Sequence, residues 1–346
     1  MTRRMIWAGC GRHAEQMLLP QLVRHDVELV GLCDLNRDAA AKLARRYGVP
    51  HVATDFAELL ALPGVEVAGM AVGPAQHRDL SIAALQRGLY VFMEKPCGAT
   101  AADARAIADA ARAARRTVGL GFMKRFSTAN RIALNVVRSA AFGPVVGFLG
   151  EYMTAPTYFA GAPDYTPFYL HHCVHYMDLA PAFVGAPVET VTVFPREHAP
   201  GKLLLHVHFG FAGGAVGTVI MGTLQSRGTP MERLQIMGDH QRVEVEGVLE
   251  VRHFRNPPFK SDDPAATLAD GVDTLSWKPN LTAAANEDFK GYDALFGAFF
   301  ATLDGKPDTD LPTIDDGVRA MQVLEAMIAG VRAPGVAQRV AREPVR

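Results

Sequence analysis

The sequence predicts an α/β fold in which a doubly wound parallel sheet is followed by an α+β domain carrying a large open, mixed or antiparallel sheet. Three observations point there. Apolar runs of strand length alternate with helical segments from Met5 to Gly121. A glycine turn joins the first strand to the first helix. Beyond about residue 145 the apolar residues change to a two-residue period. At 346 residues the chain exceeds one ordinary core, and the division is expected after residue 122, giving units 1–122 and 123–346, with the last helix free to pack back on the first.

The run Met5 to Ala8 enters Gly9-Cys10-Gly11-Arg12-His13-Ala14, and a second run, Leu29 to Cys33, closes on Asp34. That pattern is the dinucleotide fingerprint of a Rossmann domain. Gly9 permits the tight turn, Gly11 has no side chain to keep a pyrophosphate off the backbone, and Ala14 lets the helix sit close to the sheet. Asp34 can accept bonds from both adenosine ribose hydroxyls and would repel a 2′-phosphate, which favours NAD. Arg37 nearby keeps NADP as the alternative. The competing reading is a glycine turn in an α/β domain that binds no nucleotide.

The remaining elements follow in order. Asp38 to Tyr47 is helical and ends at Gly48-Val49-Pro50, and a short helix starts under a cap at Thr54-Asp55-Phe56. Val65 to Val72 is a strand running into Gly73-Pro74, Gln76 to Arg87 a helix, Leu89 to Met93 a strand, Ala101 to Arg116 a helix and Thr117 to Gly121 a strand. In the second unit Val145 to Tyr152 is a strand and Leu170 to Val184 a helix. Further strands are expected at Val188 to Phe194, Leu203 to Phe211, Ala215 to Met221, Leu234 to Met237 and Arg242 to Val251. Phe254 to Asn286 reads as loop. Helices Tyr292 to Leu303 and Ile314 to Val331 finish the chain, the latter capped by Thr313 with Asp316 in its first turn.

Composition narrows the partners. With 35 basic against 36 acidic residues, net charge argues against nucleic acid or an acidic membrane. Cysteines 10, 33, 97 and 173 form no C-x-x-C pair and suggest reduced thiols. No apolar run reaches membrane-spanning length and nothing resembles a signal peptide, so a cytoplasmic protein is expected.

Ligands of such sheets bind beyond the carboxyl ends of the strands, so Gly9 to His13, Asp34, Gly73 to His77, Glu94 to Pro96 and Phe122 to Arg125 are weighed first. Lys95, between Glu94 and Pro96, sits where the nicotinamide half of a dinucleotide would arrive. Its bond to proline can be cis, which would fix where the ammonium points; the plain alternative is a surface lysine in a turn. The second candidate is His171-His172-Cys173-Val174-His175-Tyr176-Met177-Asp178, whose spacing puts His171, His175 and Asp178 near one helical face. An imidazole there can act as general acid or base. A zinc pair at His171 and His175, and a structural histidine cluster, are the competing readings, and no metal is assigned. His77, Gly73 and Pro74 are candidates for the cofactor; His77 alternatively only caps its helix. His172, Lys124, Arg125 and Tyr158 are candidates to hold substrate.

Together the glycine motif, Glu94-Lys95-Pro96, Gly121-Phe122-Met123-Lys124-Arg125-Phe126, His175 with Asp178, and the closing I-D-D-G-V-R-A-M-Q-V-L-E-A-M resemble the Gfo/Idh/MocA oxidoreductases over nearly the whole chain. The resemblance implies a Rossmann domain followed by an α/β domain whose open sheet builds homodimers or homotetramers. It implies that Lys95 and His175 flank the substrate carbon facing nicotinamide, with hydride moving to or from a CH–OH or C=O carbon of a sugar, cyclitol or related small molecule. One departure stands out: the family pattern D-x-G-x-H-x-x-D has His171 at its first Asp and Cys173 at its Gly. Either His171 substitutes, or Lys95 with His175 suffices, or the substrate is not a secondary alcohol. An imine or conjugated double bond as acceptor, and a non-catalytic dinucleotide sensor, are the alternatives.

Overall fold

The computed structural model describes residues 2–157, 161–225, 231–255, 274–279 and 288–341. The first unit runs β1 (Arg3–Ala8), a π-helical turn (Ala14–Leu18) continuing into α1 (Leu19–Leu22), β2 (Val27–Cys33), α2 (Arg37–Tyr47), β3 (His51–Ala53) and α3 (Phe56–Leu60). It continues with β4 (Val67–Met70), α4 (Pro74–Gln86), β5 (Tyr90–Met93), α5 (Ala101–Ala114) and β6 (Val118–Leu120). The six strands are parallel in the order β3-β2-β1-β4-β5-β6, the doubly wound arrangement expected. Strand β3 is absent from the sequence reading because three residues carry no periodicity.

Local chemistry explains the helix ends. Asn36 caps α2 by accepting from Asp38 N and Ala39 N, and left-handed Gly48 ends it at φ 69°. Asp55 caps α3 through Ala57 N at 2.9 Å, as the Thr54-Asp55-Phe56 signal implied. Capping boxes at Thr100/Asp103 and Thr313/Asp316 open the helices that follow them.

The second unit holds a 3₁₀ turn (Met123–Phe126), α6 (Thr128–Val137), β7 (Gly147–Met153), α7 (Thr166–Phe168), a π-helical turn (Tyr169–Cys173), α8 (Val174–Val184), β8 (Val188–Ala199), β9 (Lys202–Phe211) and β10 (Val216–Gly222). After these come β11 (Met231–Met237), β12 (Arg242–Glu246), β13 (Glu250–Phe254), β14 (Thr274–Trp277), α9 (Tyr292–Leu303), α10 (Ile314–Arg332) and β15 (Gln338–Arg339). Nine strands form one sheet, β14-β13-β12-β11-β7-β10-β9-β8-β15, antiparallel except for β7 beside β10. The expected alternation holds along β9, where Leu203, Leu205, Val207 and Phe209 are buried.

Three expectations need correction. Arg242 to Val251 is two strands, because Gly247 and Val248 both take positive φ and reverse the chain. The stretch Phe254 to Asn286 is not all loop, since β14 lies in it; residues 256–273 and 280–287 lie outside the described residues. The helix expected from Leu170 begins as a π turn, which changes the angular spacing of the histidines.

Both closing helices reach the first unit. Phe296 of α9 meets Phe92 of β5 with ring centroids 4.5 Å apart, covering the face of the parallel sheet that α1 also covers. Helix α10 sits on α5, where Glu325 accepts from Ala101 N at 2.8 Å and Asp315 pairs with Arg112 at 3.1 Å. Inward-facing β7, β9 and β10 pack under α8 and α10, while Leu149, Phe194, Val216 and Met231 remain exposed on the opposite face of the large sheet.

Candidate active site

The glycine turn has the shape a pyrophosphate needs. Gly9 sits at φ +89°, and a Cβ there would lie 2.2 Å from the Ala71 carbonyl oxygen, so no other residue fits. At Gly11 a Cβ would meet nothing within 4 Å, leaving open space above the turn. Asp34 is oriented by two backbone donors, Cys10 N at 2.7 Å and Asn36 N at 2.8 Å. Arg12 lies exposed against Gln16, Arg37 is exposed at the head of α2, and Gly73 and Pro74 open α4. These residues fit a bound dinucleotide, with Asp34 facing the adenosine ribose. Asp34→Ser is expected to reduce the preference for NADH over NADPH by at least about tenfold, measured by fluorescence titration of both nucleotides.

The Lys95–Pro96 bond is cis. Lys95 is nearly buried; its Nζ donates to the His171 carbonyl at 3.3 Å and lies 4.0 Å from Glu94 Oε2. Burial pulls the ammonium below its ordinary range, Glu94 opposes that pull and Lys124 adds to it. Glu94 is itself buried, with Oε1 lacking any partner, and a Cβ on Gly121 would come within 2.4 Å of that oxygen. His13 Nε2 stands 3.8 Å from Glu94 Oε2 and 3.2 Å from the Tyr292 hydroxyl of α9. A buried acceptor without a donor, beside a lysine and the phosphate turn, suits the polar edge of a nicotinamide.

Across from Lys95 lies the start of α8. His175 is buried, edge-on to Phe122 at 6.4 Å, and its Nδ1 has no partner among the described residues. Burial lowers its pKa well below the usual value, and Lys95, Lys124 and His172 push the same way, so the imidazole is neutral. His172 bonds Tyr152 OH through Nδ1 at 3.0 Å and is lowered to about 4, first by burial and then by Lys95. His171 is exposed, lowered by burial and Lys95, and meets Lys95 through its carbonyl. Neutral histidines throughout give no support to a protonated imidazole activating C=N.

Several site expectations change. Asp178 does not orient His175: its carboxylate is held by Arg125, with Nε 2.8 Å from Oδ2 and a second, shorter bond to Oδ1. Burial raises the Asp178 pKa, and Arg125 opposes that rise. Arg125 also pairs with Asp316 at 3.3 Å, so it is a structural cation and not a free substrate ligand. Lys124 forms a buried pair with Glu232 and lies 4.9 Å from the Tyr152 ring centroid. His171 and His175 do not converge as a metal pair, and no group of three or more ligating side chains gathers among the described residues. Tyr158 lies outside the described residues. His77 neither caps α4 nor faces the cofactor: it has 0% exposure and both ring nitrogens engaged.

Tyr152, Glu232 and Tyr292 are additions. Glu232 left a trace in the sequence, since it shares strand parity with buried Leu234 and Ile236 and so is an acid on the core face. Tyr292 left none.

Burial holds His77 down to about 4, whereas an unfolded histidine titrates near 6.5. Its contribution to stability is complete above about pH 6.5 and is lost as pH falls toward 4, on the order of 3 kcal/mol. The difference in unfolding free energy between wild type and His77→Gln is expected to shrink over that window, which urea titrations at pH 7 and 4.5 measure. The difference curve removes the opposite-signed contribution of Asp178, whose raised pKa favours the folded state as pH falls.

A glycine turn open to phosphate, an acid at the ribose position and a lysine with a histidine at the nicotinamide end define a dinucleotide-dependent oxidoreductase fold. Residues 3–122 match the family model described as oxidoreductase family, NAD-binding Rossmann fold, and residues 164–333 match the C-terminal α/β domain of the same family. The chain belongs to the Gfo/Idh/MocA oxidoreductase family, and its first domain is an NAD-binding Rossmann fold. It is 30% identical over 176 residues to inositol 2-dehydrogenase of Salmonella typhimurium, covering 49% of this chain and 51% of that one. The match thus spans about half the length of that relative. Inositol 2-dehydrogenase of Rubrobacter xylanophilus is 26% identical over 342 residues, 95% of this chain and 90% of that one. Among solved structures, a levoglucosan dehydrogenase in complex with NADH and levoglucosan superposes with a TM-score of 0.83 at 17% identity, covering 99% and 100% of the two chains.

Proposed function

We propose that the chain is an NAD-dependent dehydrogenase acting on a CH–OH carbon of a sugar, cyclitol or related small molecule. The observation that carries this reading is the bond from Lys95 Nζ to the His171 carbonyl, which brings a cation at a Rossmann strand end onto the helical segment leading to neutral His175. NAD, when bound, exchanges hydride with the substrate carbon. In oxidation His175 takes the hydroxyl proton while Lys95 donates to the same oxygen as negative charge develops. His171 does not replace the family acid in this scheme; Lys95 and His175 suffice. The inositol and levoglucosan dehydrogenases among the relatives support the substrate class.

The test is NADH formation by the purified protein on inositols, aldoses and levoglucosan, run beside NADH oxidation with sugar ketones and cyclic imines. Turnover of a polyol supports the reading. Tight NADH binding with no turnover on either panel would overturn it in favour of a sensor.

We also propose a boundary between residues 122 and 123 and a homodimer or homotetramer assembled through the large sheet, whose outer face exposes Leu149, Phe194, Val216 and Met231. Light scattering of the purified protein tests the assembly. Four unpaired, buried cysteines favour a reducing, cytoplasmic location.

A further inference from the structure

We infer that His77 is a positioning residue for Lys95, tying the carbonyl that follows the lysine to the amide beyond β4 and so anchoring the base of the Lys95 side chain. His77 stands in the first turn of α4 with 0% exposure. Val72 N donates to Nε2 at 3.3 Å, and Nδ1 lies 2.7 Å from the Pro96 carbonyl oxygen. An amide can only donate and a carbonyl can only accept, so one tautomer alone satisfies both: Nε2 bare, Nδ1 protonated. A charged ring would forfeit the Val72 bond, and burial keeps the ring neutral above about pH 4.

The geometry links two strand ends. Val72 follows β4, and Glu94, Lys95 and Pro96 follow β5, so the ring spans the loops on which the cofactor would lie. Lys95 is therefore held at its base by His77 and at its tip by the His171 carbonyl. A structural histidine that only filled space would need neither bond.

The kinetic arm of the test rests on the dehydrogenase reading; the labelling arm does not. Trace acetylation with acetic anhydride, quantified by peptide mass spectrometry, compares Lys95 with Lys42, whose side chain is 60% exposed. His77→Leu, which keeps bulk and loses both bonds, is expected to raise relative labelling of Lys95 by about fivefold or more. His77→Gln, whose amide offers one donor and one acceptor, is expected to stay within about twofold of wild type. In turnover, His77→Leu should lower kcat by about 10²-fold while NADH affinity changes less than about threefold, and His77→Gln should recover most of that loss. If the leucine variant does not fold, His77→Asn, able to satisfy one partner at a time, should label between the other two. Equal Lys95 labelling in all variants overturns the inference. A wild type that turns over nothing overturns the dehydrogenase reading, and the labelling still decides His77.

Discussion

Lys95→Met is expected to lower kcat by about 10²–10³-fold while changing NADH affinity by less than about threefold. Methionine keeps the length and apolar stem but removes the ammonium, so the oxygen that gains charge loses its donor. The bond lost in the free protein is only that to the His171 carbonyl, at the surface of the gap between the two sheets' strand ends. Fold and phosphate turn are untouched, since Gly9 and Gly11 lie on a different strand end. Steady-state rates on the best polyol, paired with fluorescence titration of NADH, read both quantities. Turnover at the wild-type rate would remove Lys95 from the chemistry.

Glu232→Leu is expected to destabilise the second domain by about 3–5 kcal/mol, because it strands the Lys124 ammonium in a buried site. The Lys124 and Glu232 side chains are only 8% and 6% exposed, and Tyr176 OH also donates to Glu232 at 3.3 Å. Removing both charges in Lys124→Met/Glu232→Leu is expected to return most of the stability, as replacing a buried pair by apolar groups often does. Urea unfolding of the wild type, both single variants and the double variant measures the cycle. A loss below about 1 kcal/mol in Glu232→Leu would mean that solvent screens the pair.

The parallel sheet was legible because its strands are continuous apolar runs between capped helices, and a cap leaves a mark at one residue, as Asp55 and Thr313 do. The hairpin of β12 and β13 was not. Its alternation runs on through Val248, whose left-handed φ of 56° no composition rule anticipates. In the site, Lys95 and His175 announced themselves by strand-end and helix placement. The partner of Asp178 did not, because i, i+3 spacing suggests His175 while the real competitor, Arg125, arrives on a 3₁₀ turn 53 residues away in the chain. A bidentate guanidinium outcompetes a neutral ring for a buried carboxylate, and only the tertiary structure brings it there.

Because α9 covers one side of the first sheet, the N-terminal half cannot finish folding on its own. Trp7 and Phe92, fully buried beneath Phe296 and its neighbours, stay wet until residues near 303 have left the ribosome. At roughly 5–20 residues per second that delay lasts on the order of ten seconds or more, during which a greasy surface invites chaperones. An isolated fragment ending at the Rossmann boundary would carry this exposed face permanently and would be prone to aggregate.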